Sequence, residues 1–239
     1  MYKLLNKIRD IKSLQIFTVY LRYLIGGAFV ISTFTMNKFG QYGDINKLTN
    51  KIPINELPPA GVLFRVLAES GTYWHFIGIS QLISGVLLMT QRFSRLGAIF
   101  YFIIILNIFI ITIAFDFQGT PIITGLMLLA GLFLLLWDIE ALLPLIFNRY
   151  KFEKQSLQIA DQTYWIYLGF VMLISIFLMG IFYPSFYLFL IVPFLEGLVG
   201  FIIFAIFFLN KKWNINMELA FSIKKIPTSD QIIELFDKT

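Results

Sequence analysis

Residues 96–115 read LGAIFYFIIILNIFIITIAF, twenty positions without a charged side chain. At a rise of about 1.5 Å per residue, such a segment as a helix spans about 30 Å, the thickness of a bilayer's hydrocarbon core. Arg92 and Arg95 precede it and Asp116 follows it, so the charges stop where the hydrocarbon would begin. The run also lacks the period-two alternation of a strand in a transmembrane barrel. It predicts a membrane-spanning helix. The same reading extends to residues 14–36, 73–91, 121–137, 163–183 and 186–209. The expected fold is therefore all-α, a polytopic transmembrane bundle of six spans. The first span follows a basic leader like that of a secretory signal, but it is long and lacks a small-x-small cleavage site, so it is expected to be retained.

Composition agrees. Of 239 residues 58% are hydrophobic and 14% charged, and mean hydropathy is +0.79. A soluble domain carries about 25% charged residues. The chain has no cysteine and a single histidine, His75. That removes disulfides, thiol redox relays, iron–sulfur clusters and thiolate metal sites, together with bis-histidine haem and multi-histidine metal centres within this chain. No spacing of a metal site, phosphate loop or nucleophile triad occurs. The net charge of +5 belongs with a membrane surface rather than with nucleic acid, because of where the basic residues lie.

With the N-terminus inside, the inner segments hold Lys3, Lys7, Arg9, Lys12, Arg92, Arg95, Arg149, Lys151 and Lys154, then Lys211, Lys212, Lys224, Lys225 and Lys238. The outer ones hold Lys38, Lys47, Lys51 and Arg65. The positive-inside rule then places both termini in the cytoplasm. Trp74 falls at the outer boundary and Trp137, Trp165 and Trp213 at the inner one, where amphipathic rings are enriched.

Three regions follow: a four-helix bundle over 1–147, an inner loop with two further spans over 148–209, and a cytoplasmic tail over 210–239. In the long outer loop, Pro58 and Pro59 open and Gly71 closes an apolar stretch expected to form a short interfacial or re-entrant helix. In the tail, Thr228-Ser-Asp-Gln231 reads as a capping box before a short amphipathic helix.

Ionisable and amide groups within the spans are the functional candidates, since burying them away from water is unfavourable. Arg22 lies in the inner third of the first span. It either snorkels to the inner interface or pairs with an anionic ligand or a carboxylate, Glu196 being one candidate. Arg22, Gly26 and Thr33 share one face. Glu196 shares a face of the sixth span with Pro193, Gly197 and Gly200, a kinked helix with a small-residue contact face. Gln81 lies between Gly78 and Gly85 on the second span, and Asn107 is the amide of the third. Either serves as interhelical glue or lines a polar cavity. His75 belongs at the outer surface, where it could act as an acid–base group or contact a quinone carbonyl.

Residues 18–146 resemble the DoxX-like family of small bacterial integral membrane proteins. The likeness is carried by Leu-Arg22-Tyr-Leu-Ile-Gly-Gly27-Ala-Phe29, by Ser32 and Asn-Lys38-Phe-Gly40, by FIGISQLISGVLLM over Phe76 to Met89, and by Arg92 and Arg95 at the turn before the third helix. Near Gln81 that family often has an acidic residue; here an amide stands. The resemblance implies a four-helix membrane bundle in a bacterial inner membrane, with a membrane or periplasmic redox subunit as partner. Some relatives are subunits of quinone-reducing sulfur oxidoreductases. The expected function is thus a quinone-linked accessory subunit of a membrane redox system, with no covalently bound cofactor and a quinone held between helices by Arg22, Gln81, Asn107 and His75. Two alternatives stand beside it. One is a small-molecule or lipid transporter using Glu196 at the broken sixth helix. The other is a structural or assembly subunit of an envelope complex.

Overall fold

A computed structural model describes residues 9, 11–36, 52–146, 163–182 and 185–224. Eight α-helices occur among them: α1 Lys12–Thr35, α2 Pro59–Glu69, α3 Thr72–Met89, α4 Ser94–Ala114, α5 Thr120–Trp137, α6 Ile139–Ile146, α7 Thr163–Phe182 and α8 Phe186–Lys224. A short 3-10 turn, Ile54–Glu56, precedes α2. Six helices are long and apolar enough to cross a membrane: α1, α3, α4, α5, α7 and the Tyr187–Phe207 part of α8. They coincide with the six predicted spans to within a few residues. The chain is an all-helical, multi-pass integral membrane protein. Met1–Phe194 form one compact unit and Leu195–Thr239 a second.

Local chemistry sets the breaks. Pro59 occupies the first turn of α2, where its missing N–H is not needed. Gly119 takes a left-handed φ of 76° before α5, a conformation that a Cβ would disfavour. The short helix expected in the outer loop is α2. Its Phe64 meets Trp74 of α3, with ring centroids 6.4 Å apart, and Phe117 of the α4–α5 loop at 5.5 Å. The tail helix after Thr228, the inner loop over 148–162 and the polar half of the outer loop fall outside the described residues.

Lipid is as apolar as leucine, so helices in a membrane associate through close packing and hydrogen bonds rather than by expelling water. Helices α1 and α3 run antiparallel with backbones in near contact. A Cβ on Gly85 would stand 2.6 Å from the Gly26 carbonyl oxygen, and one on Gly26 would stand 2.9 Å from that of Gly85. Seven residues further up α1, Thr33 Oγ1 donates to the Gly78 carbonyl at 3.5 Å, seven residues back along α3. Ser32 donates to Gln81 Oε1 at 3.3 Å. Gly97 brings α4 equally close to α3 at Leu88. On α4, Tyr101 closes over Gly131 of α5 and donates to the Met127 carbonyl at 3.1 Å, and Thr112 shares a 3.0 Å hydrogen bond with Thr124. Ile25, Phe29, Leu88, Ala98, Tyr101, Ile105 and Leu134 form the core of this four-helix arrangement.

Helix α7 packs on α1 and α3. Gly169 lies so close to α3 that a Cβ would collide with the Met89 carbonyl, and Gly180 receives the Phe34 ring. The Tyr23 hydroxyl donates to the Trp165 carbonyl. Trp74, Trp137 and Trp165 are all buried in protein. They stand at the expected levels along the spans but face neighbouring helices instead of headgroups. The outward faces carry Ile122, Leu126 and Leu129 on α5 and Ile174, Leu178 and Ile181 on α7, all exposed. So wide an apolar surface needs hydrocarbon around it.

Candidate functional site

Arg22 does not snorkel. Its side chain is buried, and its guanidinium lies where the C-terminal ends of α3 and α5 meet α1. Nη2 donates to Asp138 Oδ2 at 2.7 Å, and Nη1 donates to Gln91 Oε1 at 3.1 Å. Asp138 directly follows the last residue of α5. Its own carbonyl accepts from Ala141 and Leu142, which turns the chain into α6. Arg95, in the first turn of α4, approaches the second carboxylate oxygen with Nε at 3.6 Å. Three segments distant in sequence, α1, the α3–α4 turn and the end of α5, therefore converge on one buried carboxylate and one buried guanidinium.

A second pair extends the cluster. Arg9 Nη1 lies 2.5 Å from Glu140 Oε2, and Nη2 donates to the Leu136 carbonyl at 3.5 Å. The Arg9 carbonyl accepts from Gln15 Nε2 at 2.6 Å, which ties Arg9 to the first turn of α1. Among the described residues, Arg9, Arg22 and Arg95 outnumber Asp138 and Glu140.

Two features distinguish this cluster from a closed ion pair. First, Gln91 sits at φ 56°, in the left-handed region. A residue with a Cβ is disfavoured there by about 1–2 kcal/mol. The fold holds Gln91 in that conformation with its side chain on Arg22. Second, among the described residues the buried donors Arg22 Nε, Arg9 Nε and Gln91 Nε2 lack a well-formed hydrogen bond, although the Gln91 side chain also stands beside the Tyr23 hydroxyl. Leaving such groups unmet is unfavourable by about 1–3 kcal/mol each, more where the group is charged. A carbonyl, carboxylate or phosphate oxygen is the kind of acceptor such donors lack.

The other predicted site residues lie elsewhere. Gln81 is buried ten residues before Gln91, about 15 Å along α3, and its Oε1 accepts from Ser32. His75 is half-buried in the first turn of α3, with Nδ1 2.7 Å from the Gly71 carbonyl oxygen. Asn107 is exposed on α4. Arg22, Gln81, His75 and Asn107 are thus not gathered into one site. Glu196 is half-buried on α8, beside the buried Gly197 and Gly200. The carboxylate that Arg22 meets is Asp138.

Sequence reasoning missed Asp138, Gln91, Arg9, Glu140 and Arg95 as site residues. One signal was present: an acid directly after an apolar span, on the same side as a run of arginines. The cluster is a set of guanidinium and amide donors arranged around two carboxylates. Compared with models of protein families, with curated proteins and with solved structures, the chain matches none.

Proposed function

We propose that this protein is a quinone-linked accessory subunit of a membrane redox system, and that the quinone's polar head is held at Arg22 and Gln91. The observation that carries this reading is the buried Arg22 guanidinium beside Gln91, whose Nε has no acceptor among the described residues. A quinone carbonyl oxygen accepts hydrogen bonds from donors of this kind. The residues present fit the group. The ring would lie among apolar helices, and the polar end would meet the only strongly polar cluster in the described part of the bundle. When bound, a quinone would supply two-electron carriage. Arg22 would bind and orient its carbonyl, Asp138 would fix the guanidinium, and electrons would have to come from another subunit, membrane-bound or periplasmic.

The likeness of residues 18–146 to DoxX-like proteins supports the same reading, since it covers α1, α3, α4 and α5. We place the protein in a bacterial inner membrane with both termini cytoplasmic, on the distribution of lysine and arginine.

The test is binding. Quinones quench tryptophan fluorescence, and Trp137 immediately precedes Asp138. Titrating the purified protein with a short-chain benzoquinone and a naphthoquinone should give saturable quenching that weakens about tenfold in Gln91→Leu. Native mass spectrometry should show a retained quinone. No saturable quenching, together with retention of an anionic phospholipid that Gln91→Leu releases, would replace the quinone with a lipid headgroup.

A second reading rests on Glu196, which lies one helical turn after Pro193 on a face with two buried glycines. Helix α8 runs unbroken through Pro193 from Phe186 to Lys224, so the discontinuity expected there is absent, and a membrane carboxyl beside a proline remains as the feature behind this reading. Proton or solute flux in proteoliposomes that disappears in Glu196→Gln would favour a transporter; equal flux in both proteins would remove it. An assembly role, the third reading, predicts stoichiometric partners and no effect of these substitutions on redox activity.

A further inference from the structure

Helix α4 has two unlike faces. Gly97, Ala98, Tyr101, Ile105 and Thr112 are buried. The opposite face carries Leu96, Phe100, Ile103, Asn107, Ile110 and Ala114, all exposed. Their spacing alternates four and three residues, so they form one straight seam along the helix, the arrangement through which two helices interlock side chains. Within that seam Asn107 is the only polar residue.

Asn107 is out of place in hydrocarbon. It lies about 10 Å along the helix from the outer end of α4, and its side chain is too short to reach an interface as a lysine would. Its amide has two N–H donors and an acceptor oxygen. No hydrogen bond to it occurs among the described residues. Polar groups at such depth face another helix.

We infer that the Asn107 seam of α4 is the interface of a homodimer, in which the two Asn107 amides hydrogen-bond to each other across a two-fold axis along the membrane normal. Two copies of one chain insert with the same orientation. Their α4 helices therefore run parallel, and a parallel symmetric pair sets each seam residue opposite itself. An amide is its own complement, donating through nitrogen and accepting through oxygen. A different partner would have to supply a matching polar group at the same depth, whereas self-pairing needs only what this chain contains. Phe100, Ile103 and Ile110 would interlock on either side.

The absence of cysteine makes the test clean. Single substitutions Ile103→Cys, Ile110→Cys and the lipid-facing control Leu126→Cys on α5 are oxidised in native membranes. The expected result is a disulfide-linked dimer at Ile103→Cys and Ile110→Cys but not at Leu126→Cys. In the otherwise natural chain, Asn107→Leu should weaken dimerisation about three- to tenfold, and Asn107→Gln should restore most of it. Because the two seam cysteines leave Asn107 intact, they report even if Asn107→Leu fails to accumulate. No crosslinked dimer at either seam position, equal crosslinking at Leu126→Cys, or crosslinking of the seam to another protein would overturn the proposal.

Discussion

Arg22 and Asp138 are separated by 116 residues in the chain and by 2.7 Å in space. Both are buried, and their pairing ties α1 to the corner between α5 and α6. Desolvating two charges opposes folding, so such a pair is weak ground for claiming stability. Its larger effect appears when one member is removed, because the other is left charged in a site built for a pair.

The two single deletions should differ. Asp138→Ala leaves Arg22 with Gln91 as its remaining partner and should destabilise the protein by about 3–5 kcal/mol. Arg22→Ala leaves Asp138 facing Arg95 at 3.6 Å. The Arg95 side chain is 44% exposed, so water screens it and the relief is partial. Arg22→Ala should therefore be milder than Asp138→Ala. The double replacement Arg22→Met with Asp138→Leu should be milder than either. Thermal unfolding of the four proteins in one detergent measures the order; equal losses in both single variants would show that Arg95 does not support Asp138.

Gln91 separates binding from folding. Glycine enters the left-handed region without penalty, so Gln91→Gly should relieve about 1 kcal/mol of backbone strain while losing a hydrogen bond of similar size to Arg22. Its stability should stay near that of the natural protein. Gln91→Ala keeps the strain and loses the bond, and should be less stable than Gln91→Gly by about 1 kcal/mol. Both lack the amide donor, so both should bind the quinone probe weakly. Tight binding by Gln91→Gly would remove Gln91 from the site.

Much of this fold is legible along the chain because a lipid-facing helix needs little more than length and apolarity, and 96–115 or 163–183 supply both. For Arg22 the chain left snorkelling and pairing both open, with Gly26 and Thr33 on its face as the hint of the inward orientation that is found. What it would meet was not legible. Asp138 lies just beyond its span, so a search for charges inside the hydrocarbon passes over it, and its approach to Arg22 depends on how α5 ends against α1. The unusual backbone of Gln91 leaves no mark on its residue type. Asn107 shows the reverse limit: period and polarity do not say whether an amide turns toward its own bundle or away from it.

Two adjacent glycines on α1 make opposite predictions. A Cβ on Gly26 would press on the Gly85 backbone at 2.9 Å, which cannot move without separating α1 from α3. A Cβ on Gly27 would meet Ile176 Cδ1 at 3.8 Å, an ordinary contact. Gly26→Ala should destabilise by about 1–3 kcal/mol. Gly27→Ala should be neutral or stabilising by up to about 1 kcal/mol, through better helix propensity. Unfolding of the two variants side by side decides it, and equal effects would mean that α1 and α3 pack less closely than 2.9 Å requires.

The orientation of the whole protein can be read at two exposed turns. Arg92 joins α3 to α4 and Gln118 joins α4 to α5, and both are exposed at opposite ends of α4. In the cysteine-free background, Arg92→Cys and Gln118→Cys each provide one thiol for a membrane-impermeant maleimide. If the surplus of lysine and arginine at one end faces the cytoplasm, intact cells should label Gln118→Cys and leave Arg92→Cys unlabelled until the membrane is opened. The reverse pattern would invert the protein and put the Arg22–Asp138 cluster on the far side of the membrane. With the termini cytoplasmic, a membrane-bound subunit would have to deliver electrons to the cluster, whereas in the inverted protein a periplasmic one could reach it directly, so this labelling pair also decides on which side a redox partner should be sought.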